Sequence, residues 1–236
     1  MELFFANPEN IQADEIILDD FERKHALNVL RKSPGEPLAV TDGVGNLFRT
    51  TIISEKPQVR LKINGREHHP LPRPKIILAV GFIRPNRLEF ILEKGTELGV
   101  SAFYLIQTVY ANYASGNTGR WQKILRQAMK QSLQYYLPQV QVFASLHDFL
   151  TSSEFCTLRL AAIDRNHPLL LDVLNEQFNA KPESVCLAIG PEGGFNPEEV
   201  DLFQEYGFHA VSLGKSRLRT ETAALSGISI IRQFIH

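Results

Sequence analysis

Two stretches near the C-terminus carry residue types that could hold a small ligand. They are Ala188-Ile189-Gly190-Pro191-Glu192-Gly193-Gly194-Phe195-Asn196 and Leu213-Gly214-Lys215-Ser216-Arg217-Leu218-Arg219-Thr220-Glu221-Thr222-Ala223. Each follows a short apolar run and precedes a helix-like segment. Each therefore reads as a loop at the C-terminal end of a strand, where open α/β sheets hold their ligands. Gly193-Gly194 permits positive φ and lets bare backbone approach a ligand. Asn196 suits an N-cap, Pro197 the first helical position, and Glu198 and Glu199 the first turn. In the second loop Thr220 fits an N-cap, with Glu221 in the first turn and the arginines solvated. A well-capped turn could use the same residues, so neither loop alone assigns a function.

The nucleotide and hydrolase signatures are absent. Gly214-Lys215-Ser216 imitates the end of a phosphate-binding P-loop, but that motif needs a glycine where this chain has His209. No G-x-G-x-x-G follows an expected strand, and no Gly-x-Ser-x-Gly elbow occurs. Glu192 would repel a polyphosphate. It is compatible with a ligand carrying positive charge, such as a sulfonium.

Composition narrows the classes further. The 236 residues are 44% apolar and 22% charged, with 25 basic and 26 acidic side chains and a net charge of −1. That balance does not describe a nonspecific nucleic-acid binder, so an RNA partner would be met by a local patch. No run of about 18 apolar residues suggests a membrane span. The first ten residues lack the layout of a secretory signal. The cysteines, Cys156 and Cys186, form no CxxC pair, which fits reduced thiols in the cytoplasm and no metal site.

These loops need a sheet to position them, and the chain supplies one after a break. His68-His69-Pro70-Leu71-Pro72-Arg73-Pro74 reads as an extended connector. Before it, strands are expected over 38–41, 47–54 and 59–63, with Asp42-Gly43-Val44-Gly45 as a hairpin turn. One helix is expected over 20–31, opened by Asp19 and Glu22 as a capping box and closed by Ser33-Pro34-Gly35. A small β-barrel over 1–70 is the expected form. From Ile76 the pattern alternates strand and helix. Strands fall over 76–80, 102–107, 140–143, 158–163, 185–189 and 210–213; helices fall over 86–99, 120–136, 168–174, 197–206 and 221–234. Leu88, Ile91, Leu92, Gly95 and Leu98 share one helical face. The second domain, 74–236, is thus expected to be α/β with a largely parallel sheet.

The chain resembles the RsmE-type ribosomal RNA uridine-N3 methyltransferases of the SPOUT superfamily. The resemblance rests on Glu93-Lys94-Gly95-Thr96-Glu97-Leu98-Gly99-Val100, Ile189-Gly190-Pro191-Glu192-Gly193-Gly194-Phe195, and Leu213-Gly214 with Leu218-Arg219-Thr220-Glu221-Thr222-Ala223. His25, Val29-Leu30-Arg31 and Asp42-Gly43 fit the pattern in the N-terminal part. The resemblance implies a PUA-like barrel followed by a SPOUT domain with a trefoil knot. It also implies S-adenosylmethionine as methyl donor, a homodimer, and small-subunit ribosomal RNA, free or in the assembled subunit, as substrate. The cofactor would be held by Ile189, Gly190, Pro191, Glu192, Gly193, Gly194, Leu213, Gly214, Leu218, Arg219, Thr220 and Ala223. Uridine N3 must lose a proton before it can attack a methyl group. Arg219 would stabilise the developing uridinate, and Glu221 would orient it or assist proton loss. Phosphate-directed contacts to RNA would come from Arg23, Arg31 and Lys32, and from Arg84, Arg87 and Lys94. A SPOUT enzyme with another RNA target, or a non-catalytic ribosome-assembly factor, are the alternatives.

The chain departs from the family pattern at three places. Val109-Tyr110 stands where a Glu-Arg pair is common. Lys130-Gln131-Ser132-Leu133-Gln134 replaces Glu-Gln-Ser followed by arginine, and Ser216 replaces an arginine. These bear on RNA docking and dimer contacts more than on the cofactor, and Lys130 would reverse a local charge pair.

Overall fold

The computed structural model describes residues 2–113, 116–152 and 156–235. The expected spans 1–70 and 74–236 also include Met1, residues 114–115 and 153–155, and His236, which lie outside them. Two compact units are formed: Met1–Leu71 with Arg126–Leu137, and Pro72–Leu125 with Pro138–His236.

The first unit contains β1 (Leu3–Phe5), β2 (Glu15–Ile17), α1 (Asp20–Lys24), β3 (Pro37–Thr41), β4 (Asn46–Ser54) and β5 (Arg60–His68). The strands form one sheet in the order β1-β3-β4-β5-β2, antiparallel except for β1 beside β3. Alternating side chains such as Leu38, Val40, Phe48, Ile52 and Leu61 enter a core shared with Phe4, Ile16 and Ala26. The two N-terminal strands are too short for a period-two pattern to announce them. His68 ends β5 rather than lying in the connector, with its Nδ1 3.1 Å from Asn46 Oδ1. Asp42 holds the hairpin turn by accepting from the backbone N–H groups of Val44 (2.9 Å) and Asn46 (3.1 Å).

The helix expected over 20–31 is shorter and changes character. The α-helical part ends at Lys24, and His25–Val29 forms a π-helical turn with Leu30 N–H donating to the His25 carbonyl at 3.0 Å. Arg31, in the left-handed region at φ 55°, ends it before Ser33 is reached. Asp19 caps it as expected, accepting from Glu22 N–H at 2.8 Å. The other half of the expected capping box is missing, because the Glu22 carboxylate is used elsewhere. It is buried against Lys130 Nζ at 2.5 Å, and the side chains are 3% and 8% exposed respectively. Burial holds the Glu22 carboxyl above the usual range, and Lys130 offsets this only in part.

The second unit contains β6 (Lys75–Gly81), α2 (Pro85–Glu97), β7 (Val100–Ile106), β8 (Gln139–Phe143), α4 (Leu146–Thr151), β9 (Leu158–Ala162), α5 (Leu170–Gln177), β10 (Ser184–Ile189), α6 (Pro197–Glu205), β11 (His209–Val211) and α7 (Thr220–Gln233). Between β7 and β8 runs α3 (Thr118–Gln131), whose last residues count with the first unit. It stops at Gln131 rather than Tyr136, where Leu133 turns to φ 53°. All six strands are parallel, in the order β11-β9-β10-β6-β7-β8. The central strands β10 and β6 read as near-continuous apolar runs because both of their faces are buried. Leu88, Ile91, Leu92 and Gly95 of α2 are buried as the helical spacing predicts, while Leu98 is half-buried. The short α4 escaped the sequence reading; a Ser145 cap and buried Leu146, Phe149 and Leu150 account for it. Cys156 and Cys186 are buried thiols not joined in a disulfide, and the Cys186 thiol is pushed up by its hydrogen bond with Cys156 and by burial. No helix among the described residues is long and apolar enough to cross a membrane, and no group of three potential metal ligands occurs among them.

The Glu22–Lys130 pair sets two tests. Lys130→Met leaves a buried carboxylate without its cation and should cost about 3–5 kcal/mol, whereas Lys130→Met with Glu22→Leu should recover most of that loss in urea unfolding. The raised Glu22 pKa means that the folded state holds this proton more tightly than the unfolded chain does. Its contribution is full below the unfolded pKa and is lost as pH rises through the folded value. The stability of the wild type relative to Glu22→Gln should therefore fall as pH rises from about 4.5 toward neutrality.

Candidate active site

The two glycine-rich loops leave the C-terminal ends of β10 and β11, and three contacts bring them together with each other and with the end of β6. Thr220 Oγ1, buried, donates to the Gly190 carbonyl at 3.1 Å. Arg217 Nη2 donates to the Glu192 carbonyl at 3.3 Å. At the end of β6, Gly81 lies so close to the first loop that a Cβ there would meet Pro191 Cδ at 2.6 Å. Thr220 is thus not the N-cap of α7. Arg219 occupies that position, with extended backbone and no side-chain cap bond, and Thr220 is the first helical residue. Its hydroxyl is free to face the neighbouring loop because it is not spent on its own helix.

The first loop is built as its residues dictate. Asn196 and Glu199 form a full capping box at the start of α6, with Asn196 Oδ1 accepting from Glu199 N–H at 2.7 Å and Glu199 Oε2 from Asn196 N–H at 3.0 Å. Glu199, 5% exposed, also accepts the Val109 N–H on Oε1 at 2.9 Å. One buried carboxylate therefore fixes both the first loop and the loop after β7. Gly194 has the positive φ expected of the pair, at 75°. Gly193 is needed for a different reason: a Cβ on it would stand 2.8 Å from Tyr110 Cβ.

The charged groups do not pair as the chemistry of the motif suggested. Arg219 is exposed. Glu221 instead meets Arg87 of α2, with Oε1 3.8 Å from Arg87 Nε, and Arg87 Nη1 is 3.5 Å from Glu192 Oε1. Arg87, expected among the RNA contacts, is thus engaged between two carboxylates of the loops. Glu221 Oε2 is buried with no hydrogen-bond partner, as are Thr108 Oγ1 and Gln107 Oε1 in the segment after β7. Ile189, Gly190 and Pro191 are buried, Leu213, Gly214, Leu218 and Ala223 half-buried, and Ser216 exposed.

The other expected RNA contacts are scattered. Arg84 is exposed at the start of α2. Lys94 is bonded to Glu93 and Glu97 at 2.8 Å each, and these bonds hold its ammonium above the usual range. In the first unit Arg31 is exposed, Arg23 lies 3.4 Å from Asp20, and Lys32 lies 2.9 Å from Glu36. Sequence reasoning missed Glu199 and Tyr110 as partners of the first loop, since the Val109–Glu199 contact spans 90 positions.

The residues fit a small cationic, nucleoside-like group. Gly194 and Gly214, at φ 75° and 125°, have nothing within 4 Å of where a Cβ would stand, so backbone is open to a ligand at both. The Glu192 and Glu221 carboxylates stand here beside the guanidiniums of Arg87 and Arg217, and the unpartnered Glu221 Oε2 offers an acceptor to a cationic group.

The RNA methyltransferase domain model matches residues 69–232, and the RNA methyltransferase PUA domain model matches 18–64. A ribosomal RNA small subunit methyltransferase E from Synechocystis is 30% identical over 97% of this chain and 76% of its own length. The chain belongs to the ribosomal RNA small subunit methyltransferase E family. The Mycobacterium bovis member is 29% identical over 91% of this chain and 85% of its own. Among solved structures, a probable rRNA methyltransferase from Porphyromonas gingivalis is 30% identical and superposes with a TM-score of 0.84, covering 99% of this chain and 98% of that one. The Neisseria gonorrhoeae member of the family, solved with S-adenosyl methionine bound, is 28% identical with a TM-score of 0.84 over 99% and 97% of the two chains. The α/β fold with a PUA-like N-terminal part is that of this methyltransferase family.

The Thr220–Gly190 bond is testable directly. Thr220→Val removes the donor from a buried carbonyl and should lower stability by about 1–3 kcal/mol in thermal or urea unfolding, while Thr220→Ser should stay close to the wild type.

Proposed function

We propose that this chain transfers the methyl group of S-adenosylmethionine to N3 of a uridine in 16S ribosomal RNA. The observation that carries the reading is the Thr220–Gly190 bond, which gathers both glycine loops and the Glu192 and Glu221 carboxylates in a family whose Neisseria member was solved with S-adenosyl methionine bound. Ile189, Gly190, Pro191, Glu192, Gly193, Gly194, Leu213, Gly214, Leu218, Arg219, Thr220 and Ala223 would hold the cofactor, largely through backbone groups. When bound, S-adenosylmethionine supplies an electrophilic methyl group.

The protein's task is to make uridine N3 a nucleophile and to position it. N3 loses a proton, and negative charge spreads onto the flanking carbonyl oxygens of the base. The exposed guanidinium of Arg219 is available to stabilise that charge. Glu221 Oε2, buried and without a partner, is available to take the proton while Arg87 holds its other oxygen. Arg87 thus serves the site by fixing Glu221 and Glu192. Phosphate contacts would come from Arg84, Arg87 and Lys94 and, on the PUA-like part, Arg23, Arg31 and Lys32. Two domains over 1–70 and 74–236 divide these roles. A homodimer binding RNA across both subunits, free or in the assembled subunit, completes the reading, as does a cytoplasmic location. A trefoil knot in the 189–223 region is supported by the strand order, in which β10 is inserted between β9 and β6.

Arg219→Ala should reduce kcat by about 100-fold or more while S-adenosylmethionine binding by calorimetry stays within a few-fold of the wild type. Mass spectrometry of ribosomal RNA from a strain lacking the gene should find N3-methyluridine missing. Its persistence at the wild-type level would overturn the substrate assignment.

A further inference from the structure

The segment after β7 presents an aromatic ring that the catalytic reading leaves without a role. In the second unit the exposed phenylalanine and tyrosine side chains among the described residues are Phe90, out on α2, and Tyr110, 43% and 45% exposed. Tyr110 is rooted firmly. Gly193 comes so close to it that a Cβ would stand 2.8 Å from Tyr110 Cβ, 3.1 Å from Cγ and 3.3 Å from Cδ2. Its backbone is fixed on both sides: Val109 N–H donates to the buried Glu199 carboxylate, and Ala111 N–H closes a turn onto the Thr108 carbonyl at 3.1 Å. A large apolar side chain held in place yet left open to solvent at the edge of a ligand site is suited to a planar partner.

We propose that Tyr110 is the stacking face for the target uracil and that Glu199 is the positioning residue that presents it. This rests on the function proposed above. A uridine whose N3 is to react must leave its stacked neighbours, and an aromatic face replaces the stacking it gives up. The acidic pair Glu192 and Glu221 suits a cationic donor, whereas a neutral pyrimidine calls for an apolar flat surface. Tyr110 offers that surface directly beside the first glycine loop. Glu199 fixes its position by bonding to the first loop through Oε2 and to the Tyr110 segment through Oε1, so the ring and the loop keep a fixed relation.

The test uses the full-length protein with Tyr110→Ala, Tyr110→Phe, Glu199→Gln and the Tyr110→Ala/Glu199→Gln pair. S-adenosylmethionine affinity is measured by calorimetry, 16S ribosomal RNA transcript affinity by direct binding, and methyl transfer by KM and kcat. Tyr110→Ala should weaken RNA binding and raise the RNA KM by about 5- to 150-fold, with cofactor affinity unchanged. Tyr110→Phe, which keeps the ring, should remain within about twofold of the wild type. Glu199→Gln should raise the RNA KM and add little in the Tyr110→Ala background, as expected of residues acting through one another. RNA binding and KM unchanged in Tyr110→Ala, or a loss confined to cofactor affinity, would overturn the stacking role. A Glu199→Gln protein that loses only thermal stability would overturn the positioning role. A wild-type protein that methylates no uridine, while Tyr110→Ala still weakens RNA binding, would sink the functional reading and leave the stacking face standing.

Discussion

The Thr220 hydroxyl reaches the Gly190 carbonyl from the first turn of α7, and the site depends on that contact. The glycine loops leave strands that are not neighbours, since β9 lies between β10 and β11. Nothing in the sheet ladder obliges the two loops to converge. A buried hydrogen bond from a β-branched side chain, with few rotamers to lose, supplies the missing constraint. Around it, Arg217 binds the Glu192 carbonyl, and Arg87 spans the Glu192 and Glu221 side chains. The geometry of the candidate site is therefore a property of how loops are tied, more than of any single charged residue.

Local rules were legible and long-range partners were not. The start of α6 could be read residue by residue, because a capping box is a matter of spacing within one turn. The same logic misassigned Glu22, whose spacing from Asp19 is right but whose carboxylate faces a lysine 108 positions away. Thr220 misled in a similar way: a threonine before an acidic first turn suggests a cap, and only the nearness of Gly190 turns its hydroxyl outward. A one-dimensional reading of Arg87 finds a cation suited to phosphate but cannot find its pairing with Glu192 and Glu221. The parallel sheet was visible in apolar runs, while the three-residue β1 and β2 and the six-residue α4 fall below the length at which periodicity has meaning.

Departures from the family pattern acquire physical content in the same way. Lys130 is a cation for a buried carboxylate, and the pair is complete with the charges in this order. Val109 contributes its backbone amide rather than its side chain to the contact with Glu199, so that anchor is indifferent to which residue stands there. The side chain at 109 can accordingly vary while the loop keeps its shape.

The assignment of Arg126–Leu137 to the N-terminal unit affects how the protein is made. Gly45 N–H donates to the Tyr135 carbonyl, Leu137 N–H to the Gly43 carbonyl, and the Arg126 guanidinium lies over the Phe5 ring. During synthesis the first 71 residues leave the ribosome lacking these contacts, and Glu22 waits without its cation until Lys130 appears. An N-terminal fragment cut at the proline-rich connector would therefore be an unfinished body, not a portable RNA-binding module. The smallest excisable piece of this enzyme that keeps its own interior intact extends past the middle of the chain.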